Sequence, residues 1–237
     1  MAKQLMIYDN VTPISSETHR GWSVEMGQDY SFAKGLNSVP LLMAEFAAAA
    51  VEHTIVFSGD RKTVMPAIIL GLTANKNGHV ADDGSWRGGY VPAFLRRYPF
   101  VFAGAEGNER LTLCMDDAFD GFNTAGKGEA FFDDDGQPST FLQGQLKFNQ
   151  GYQDQSKKTQ AFARGLMALG VLEPSKIDFQ YAGKKASLGG FLTINREKFK
   201  ALPAKKLKEM MKSDQLEACY QHLQSLNNLA PMAKRLS

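Results

Sequence analysis

The hydrophobic positions of this chain fall in short blocks separated by polar and glycine-rich residues. The first blocks, 5–8 and 11–14, flank Asp9-Asn10 and predict a kinked N-terminal strand. Pro13 puts that strand at a sheet edge, because proline cannot donate to a central ladder. Residues 31–37 are mixed and read as loop. Val39-Pro40 then opens the run LLMAEFAAAAVEHTIVF. Proline suits a first helical turn and Ser38 its cap. Residues 41–51 are alanine-rich and apolar on nearly all sides, which predicts a helix buried on most faces. The β-branched and aromatic residues 54–57 predict a strand, Gly59-Asp60 a turn, and 63–73 a second strand interrupted by Pro66. Asn77-Gly78 is a hairpin signal.

A second passage follows the same order. Tyr90-Val91-Pro92 opens a short helical run, AFLRRY. Pro99 closes it, since the residue before proline disfavours helix. Residues 100–102 and 111–115 read as paired strands. The sequence Val-Pro, helix, strand, turn, strand thus occurs at 39–73 and again at 91–115, which an internal repeat would explain. Residues 116–136 read as a long polar loop. Phe141, Phe148, Tyr152, Gln155, Thr159, Phe162, Leu166 and Leu169 recur at helical spacing and predict one long helix over 139–169. Gly144 and Gly151 weaken it and mark possible kinks; Gly170 and Pro174 end it.

Residues 177–182 and 187–194 predict a hairpin around Gly183-Lys184-Lys185. Asn195 caps a short turn over 196–199, and Pro203 starts a basic helix reaching Met211. Ser213 caps a last helix with Leu216, Tyr220, Leu223 and Leu226 as its apolar stripe. The expected fold class is α+β in a single domain over 1–237: antiparallel sheet elements, a mostly buried Ala-rich helix, a long central helix and a helical C-terminal segment.

Composition agrees with an ordinary globular protein, at 43% hydrophobic and 22% charged residues. Cys114 and Cys219 lie far apart and read as reduced, buried thiols. The N-terminus lacks a signal-peptide pattern, and the longest apolar stretch, 39–51, falls short of a membrane span. The expected location is cytoplasmic. Net charge of +2 conceals an asymmetry: residues 1–182 hold 16 Lys and Arg against 21 Asp and Glu, residues 183–237 hold 11 against 4. A basic tail can meet nucleic acid. These lysines lie among apolar residues at helical spacing with few aromatics, so a solvated helix face is the preferred reading and nucleic acid ranks last among partners.

No GxSxG, Walker A, HExxH or helix-opening GxGxxG motif is present. The four histidines, at 19, 53, 79 and 222, lack metal-ligand spacing. The acidic loop fails as an EF-hand in either register, with Ala118 at the third position and Lys127 at the twelfth, or Phe131 at the first. No metal site follows, and the cofactor stays unknown from the sequence. Three features remain as ligand-binding candidates. Glu45 sits mid-helix among apolar residues, so if buried it must be paired, hydrogen-bonded or protonated; an ion pair with Arg96 or Arg97 is the simplest way. Glu52 lies seven residues on, near the same face. Trp86, Arg87, Tyr90, Arg96 and Arg97 form an aromatic-arginine segment of the kind that binds anionic or peptide ligands.

VPLLMAEFAAAAVEHTIVF, GYVPAFLRRYPFVF and GGFLTINREKFKALPAKKLKEMMKSDQLEACYQHLQSLNNL, in that order, resemble the SapC family of bacterial proteins over about residues 5–229. YVPAFLRRYPF is the most specific of these. Arg196-Glu197 departs slightly, standing where the family pattern leads one to expect an acidic pair. The family's name comes from a gene linked to surface-layer (S-layer) protein loci and secretion machinery. The resemblance implies no catalytic residues. Two classes of function stay open. One is a non-enzymatic binding or accessory protein with a protein or peptide partner. The other is an enzyme or small-ligand protein with a pocket between the two Val-Pro segments. Neither the reaction, if there is one, nor the oligomeric state is read from the sequence.

Overall fold

The computed structural model describes residues 6–103, 112–181 and 184–236. Its first sheet joins β1 (Val11–Pro13), β6 (Phe100–Ala103) and β7 (Thr112–Asp116) in the order β1-β7-β6, all antiparallel. Pro13 lies on the edge strand, as expected. Of the first apolar block, residue 5 lies outside the described residues and Met6–Tyr8 form no strand; Tyr8 instead donates its hydroxyl to the Phe100 carbonyl at 2.8 Å.

The second sheet is built from β3 (Ser38–Pro40), β4 (Thr54–Ser58), β5 (Met65–Ile69), β10 (Leu172–Tyr181) and β11 (Lys184–Ile194), ordered β10-β11-β4-β5-β3. Val39-Pro40 therefore belongs to a strand and does not open the helix. The Leu41 N–H bonds the Pro66 carbonyl at 3.0 Å, so by antiparallel alternation the Pro40 nitrogen faces the open edge, where no donor is needed. Pro174 likewise falls inside an edge strand, opposite Leu192. The predicted hairpin is longer than expected at both ends, and its turn at 182–183 lies outside the described residues.

A third sheet pairs β2 (Ser23–Val24) with β8 (Phe122–Asn123) and β9 (Glu129–Ala130), so the acidic segment after Asp116 carries two short strands. The Asn77-Gly78 hairpin is not formed. Asn75 takes the left-handed turn, while buried Asn77 donates to the Ala33 carbonyl and accepts from the His79 N–H.

The Ala-rich run forms a 3-10 turn, Met43–Glu45, leading into α2 (Phe46–Ala49), which follows α1 (Ser16–His19). It is shorter than predicted and buried on one face only: Phe46, Ala49 and Ala50 are inside, whereas Ala47, Ala48 and Val51 are exposed. Neighbours tie both ends. The Met43 N–H bonds Thr159 Oγ1 at 2.9 Å, and Asn228 donates to the Ala50 and His53 carbonyls at 2.9 Å each. These are the groups a helix end leaves unpaired.

After α3 (Ala93–Arg96), α4 (Thr140–Ala168) runs as one helix of 29 residues, capped by Ser139 Oγ on the Leu142 N–H and closed by Gly170 at φ 68°. Its buried seam is Leu142, Asn149, Tyr152, Thr159, Phe162, Ala163 and Leu166, packed against β5, β6 and the 3-10 turn. Asn195 caps α5 (Arg196–Lys200) as predicted, and α6 (Ala204–Lys212) starts after Pro203. Left-handed Asp214, rather than Ser213, precedes α7 (Gln215–Ser225). In α7 the inward residues are Ala218, Cys219, His222, Leu223 and Ser225, and Tyr220 is exposed, because His222 and Ser225 bond the sheet. The Ser225 hydroxyl accepts from the Ile55 N–H and His222 Nε2 from the Ile194 N–H. α8 (Leu229–Leu236) packs on β10. No helix among the described residues is long and apolar enough to cross a membrane.

The two Val-Pro passages both yield a short helix followed by an antiparallel hairpin, α2-β4-β5 and α3-β6-β7. They differ at the proline, which lies in a strand in the first and caps the helix in the second.

Two expectations follow. Burial lowers the His222 pKa from 6.5 to about 4. The neutral ring is the folded form, so this contribution is complete above about pH 6.5. It falls away toward pH 4, where the unfolded chain binds the proton first, by up to about 3 kcal/mol. Urea unfolding across this range shows the loss, and His222→Asn flattens it. In α4, a Cβ at Gly165 meets nothing within 4 Å, whereas at Gly71 it would overlap the Lys76 carbonyl. Gly165→Ala raises stability by about 0.5–1 kcal/mol, and Gly71→Ala lowers it.

Candidate functional site

Glu45 and Glu52 leave the Ala-rich run on the side facing the second Val-Pro passage. Glu45 is 7% exposed. One oxygen accepts the Leu42 N–H at 3.0 Å; the other accepts the Tyr90 hydroxyl at 2.6 Å and the Ala93 N–H at 2.7 Å. The expected ion pair with Arg96 or Arg97 is replaced by these donors, which satisfy a buried carboxylate without burying a second charge. Glu52 accepts the Gly89 N–H at 3.0 Å and the Tyr90 N–H at 2.6 Å. The two carboxylates thus clamp residues 89–93 onto the first passage. Burial and the Glu45 bond push the Tyr90 phenol well above its usual pKa.

Behind the clamp lies a buried pair that spacing in the sequence conceals. The rings of His53 and His79 are 4.7 Å apart. His53 Nε2 donates to the Tyr90 carbonyl at 3.0 Å and stands 3.4 Å from Glu52; His79 Nδ1 donates to the Arg87 carbonyl at 2.9 Å. Trp86 stacks on His79 at 5.3 Å and donates its indole N–H to Tyr90. Arg87 contributes its backbone and leaves its side chain exposed. Arg97 points the other way, 1% exposed, with its guanidinium 4.6 Å from the Phe94 ring and 4.7 Å from Tyr152.

Arg96, like Arg87, is exposed, and it lines a cavity. Its Nε donates to the Val91 carbonyl at 2.9 Å, and its guanidinium lies 5.6 Å from the Phe148 ring and 5.9 Å from Tyr90. Arg96 and Phe148 form the shared wall of two cavities of about 700 and about 440 Å3. The larger is walled by Tyr30, Phe32, Tyr98 and Phe119, with Phe32 and Tyr98 stacked at 4.0 Å and Tyr98 perpendicular to Phe119 at 5.7 Å. The smaller runs on along α4 past Gly151 to Lys158 and has the buried Glu45 in its lining. The two adjoin at Arg96 and Phe148 and follow each other along α4 from Gly144 to Lys158, a stretch called the groove below. Burial and the neighbouring Asp116 carboxylate raise the Tyr98 pKa, and hydrogen bonds from Ser31 hold Asp29, at the rim, below the usual carboxylate range.

The sequence pointed to the Val-Pro segments, and their residues do meet. Glu45, Glu52, Trp86 and Tyr90 form an interlock, and Arg96 stands at its outer lip. Phe32, Phe119 and Phe148 went unrecognised because no spacing links them. A signal existed in Gly144 and Gly151: each lies on the groove floor, and at neither would a Cβ meet anything within 4 Å. Asp116 serves structure, accepting the Asp9 and Asn10 N–H groups at 2.9 Å each.

Glu45→Ala strands the Ala93 and Leu42 N–H groups and the Tyr90 hydroxyl. It lowers unfolding free energy by about 2–4 kcal/mol in urea titration; Val51→Ala, an exposed change just past α2, stays within about 0.5 kcal/mol.

Comparison with curated proteins finds no match, and comparison with solved structures finds none either. The family model described as SapC matches residues 14–232, from just after β1 into α8. The clamp, the buried histidine pair and the groove all lie inside that span, and the chain belongs to the SapC family.

Proposed function

We propose that this chain is a binding protein that holds an extended polypeptide segment in the groove along α4. The observation that carries this reading is the groove floor. Glycine inside a helix costs about 1 kcal/mol relative to alanine, and nothing in the protein requires it at Gly144 or Gly151. A side chain at either position would fill the groove. Aromatic walls and a positioned guanidinium suit the apolar and polar parts of a peptide. The carboxylates and histidines best placed for acid–base chemistry, Glu45, Glu52, His53 and His79, hold backbone groups instead. A secreted or surface-layer protein, met while still extended, is the partner this reading names, in line with an accessory role. A second reading, a small-ligand site, draws on the larger cavity alone, whose volume lies within the usual range for such sites.

Fluorescence polarisation of the full chain with a positional-scanning hexapeptide library tests the proposal. The wild type binds a subset of the library, and Gly144→Leu/Gly151→Leu, as stable as the wild type, loses at least ten-fold in affinity. Equal binding by the filled variant, or no binding by the wild type, overturns the groove reading. Competition by free amino acids as strong as by the hexapeptides transfers it to the small-ligand reading.

A further inference from the structure

The two ends of the groove carry opposite charge. At the larger cavity, Glu25, Asp29 and Asp120 stand on the rim above the aromatic walls, against Arg96 alone. The loops bearing these carboxylates are tied down. The Glu25 N–H bonds the Gly121 carbonyl at 2.9 Å, Asp29 accepts the Ser31 N–H at 2.8 Å, and the Tyr30 N–H bonds the Gly84 carbonyl at 2.8 Å. At the smaller cavity, Lys147 and Lys158 join Arg96 against Asp154, while the Glu45 carboxylate is occupied by its three donors. The sign of the groove therefore reverses along α4.

Each end suits one kind of side chain. Ring faces attract cations, and the attraction grows where water is displaced. Tyr30, Phe32, Tyr98 and Phe119 supply those faces, and the three carboxylates supply opposite charge at the mouth. Two lysines on one helical face offer an anion point charges in the same way. From Gly144 to Lys158 the helix rises about 21 Å, which an extended peptide covers in about six residues.

We infer that the groove selects its polypeptide by charge polarity: a lysine or arginine side chain enters the aromatic end, and about six residues away an aspartate, glutamate or terminal carboxylate lies over Lys158, with Lys147 adding positive charge between the two. This rests on the peptide-binding reading above and names the class of segment that the site takes. Charge complementarity of this kind governs specificity and encounter rate more than total affinity, so the preference between peptides is the quantity to measure.

Five labelled heptapeptides on one glycine-serine-phenylalanine host make the test. They carry Lys and Glu at positions 1 and 7, the same pair exchanged, Lys at both, Glu at both, or glutamine at both. The exchanged pair is needed because a peptide can lie in either direction. With the full-length protein at low salt, at least one Lys/Glu peptide binds ten-fold tighter than the other three compositions. Lys147→Glu/Lys158→Glu shifts the preference to the Lys/Lys peptide, and Glu25→Gln/Asp120→Asn reduces it. Equal binding of all five, or a preference unmoved by the charge reversal, overturns the inference and leaves peptide binding standing. Failure of every peptide to bind overturns both.

Discussion

The Glu45 carboxylate is the point on which this structure turns. It accepts one N–H from the entrance of its own 3-10 turn and two donors, a hydroxyl and an N–H, from the passage that starts α3. A buried carboxylate without such donors is costly enough to unfold a marginal domain or to force protonation. Because Leu42 and Ala93 stand at the starts of helical segments, the same carboxylate fixes where both begin. Glu52 repeats the arrangement seven residues later, on the Gly89 and Tyr90 N–H groups. The two hairpins that follow these helical segments enter different sheets, and the interlock between the segments sets how those sheets meet.

The groove follows from that interlock. With residues 89–93 held against the first passage, α3 projects Arg96 outward and Arg97 inward, onto Tyr8, Phe94 and Tyr152. Two adjacent arginines thus take opposite fates. One packs its guanidinium among rings in the core, and the other meets solvent at the wall of a cavity. α4 supplies the floor, and Thr159 on the same helix accepts the Met43 N–H. The helix that carries the candidate site is also the one that holds the Ala-rich segment in place. A site mounted on a rigid helix is positioned more closely than one on loops, while the aromatic and acidic groups come from the loops around it.

Family membership extends this picture without adding a mechanism. The matched span, residues 14–232, takes in the interlock and the groove alike. The segments that carried the resemblance are structural in large part: VPAFLRRYPF supplies the clamped turn, α3 and the start of β6.

Local physics was legible in the sequence. The long helix and its Gly170 stop, the Asn195 cap and the β4, β6 and β11 strands follow from periodicity, capping chemistry and β-branching, which act over a few residues. Proline was read less well. Pro40 and Pro174 suit a helix start or a chain break by local rules, yet both sit in edge strands, because tolerance there depends on which side of the strand has a neighbour. The inward face of α7 was misjudged for a similar reason: His222 and Ser225 turn inward to meet backbone N–H groups on distant strands. Glu45 was recognisable as a carboxylate needing a partner, but three donors from Leu42, Tyr90 and Ala93, and not an arginine, supply it. The groove left only the two helix glycines, Gly144 and Gly151, as a trace in the sequence, since Phe32, Phe119 and Phe148 come together only after three sheets and α4 have packed. Sequence alone determined the elements and the residue that had to be satisfied; tertiary packing decided by whom, because hydrogen-bond partners and cavity walls are set by proximity in space, which spacing along the chain does not encode.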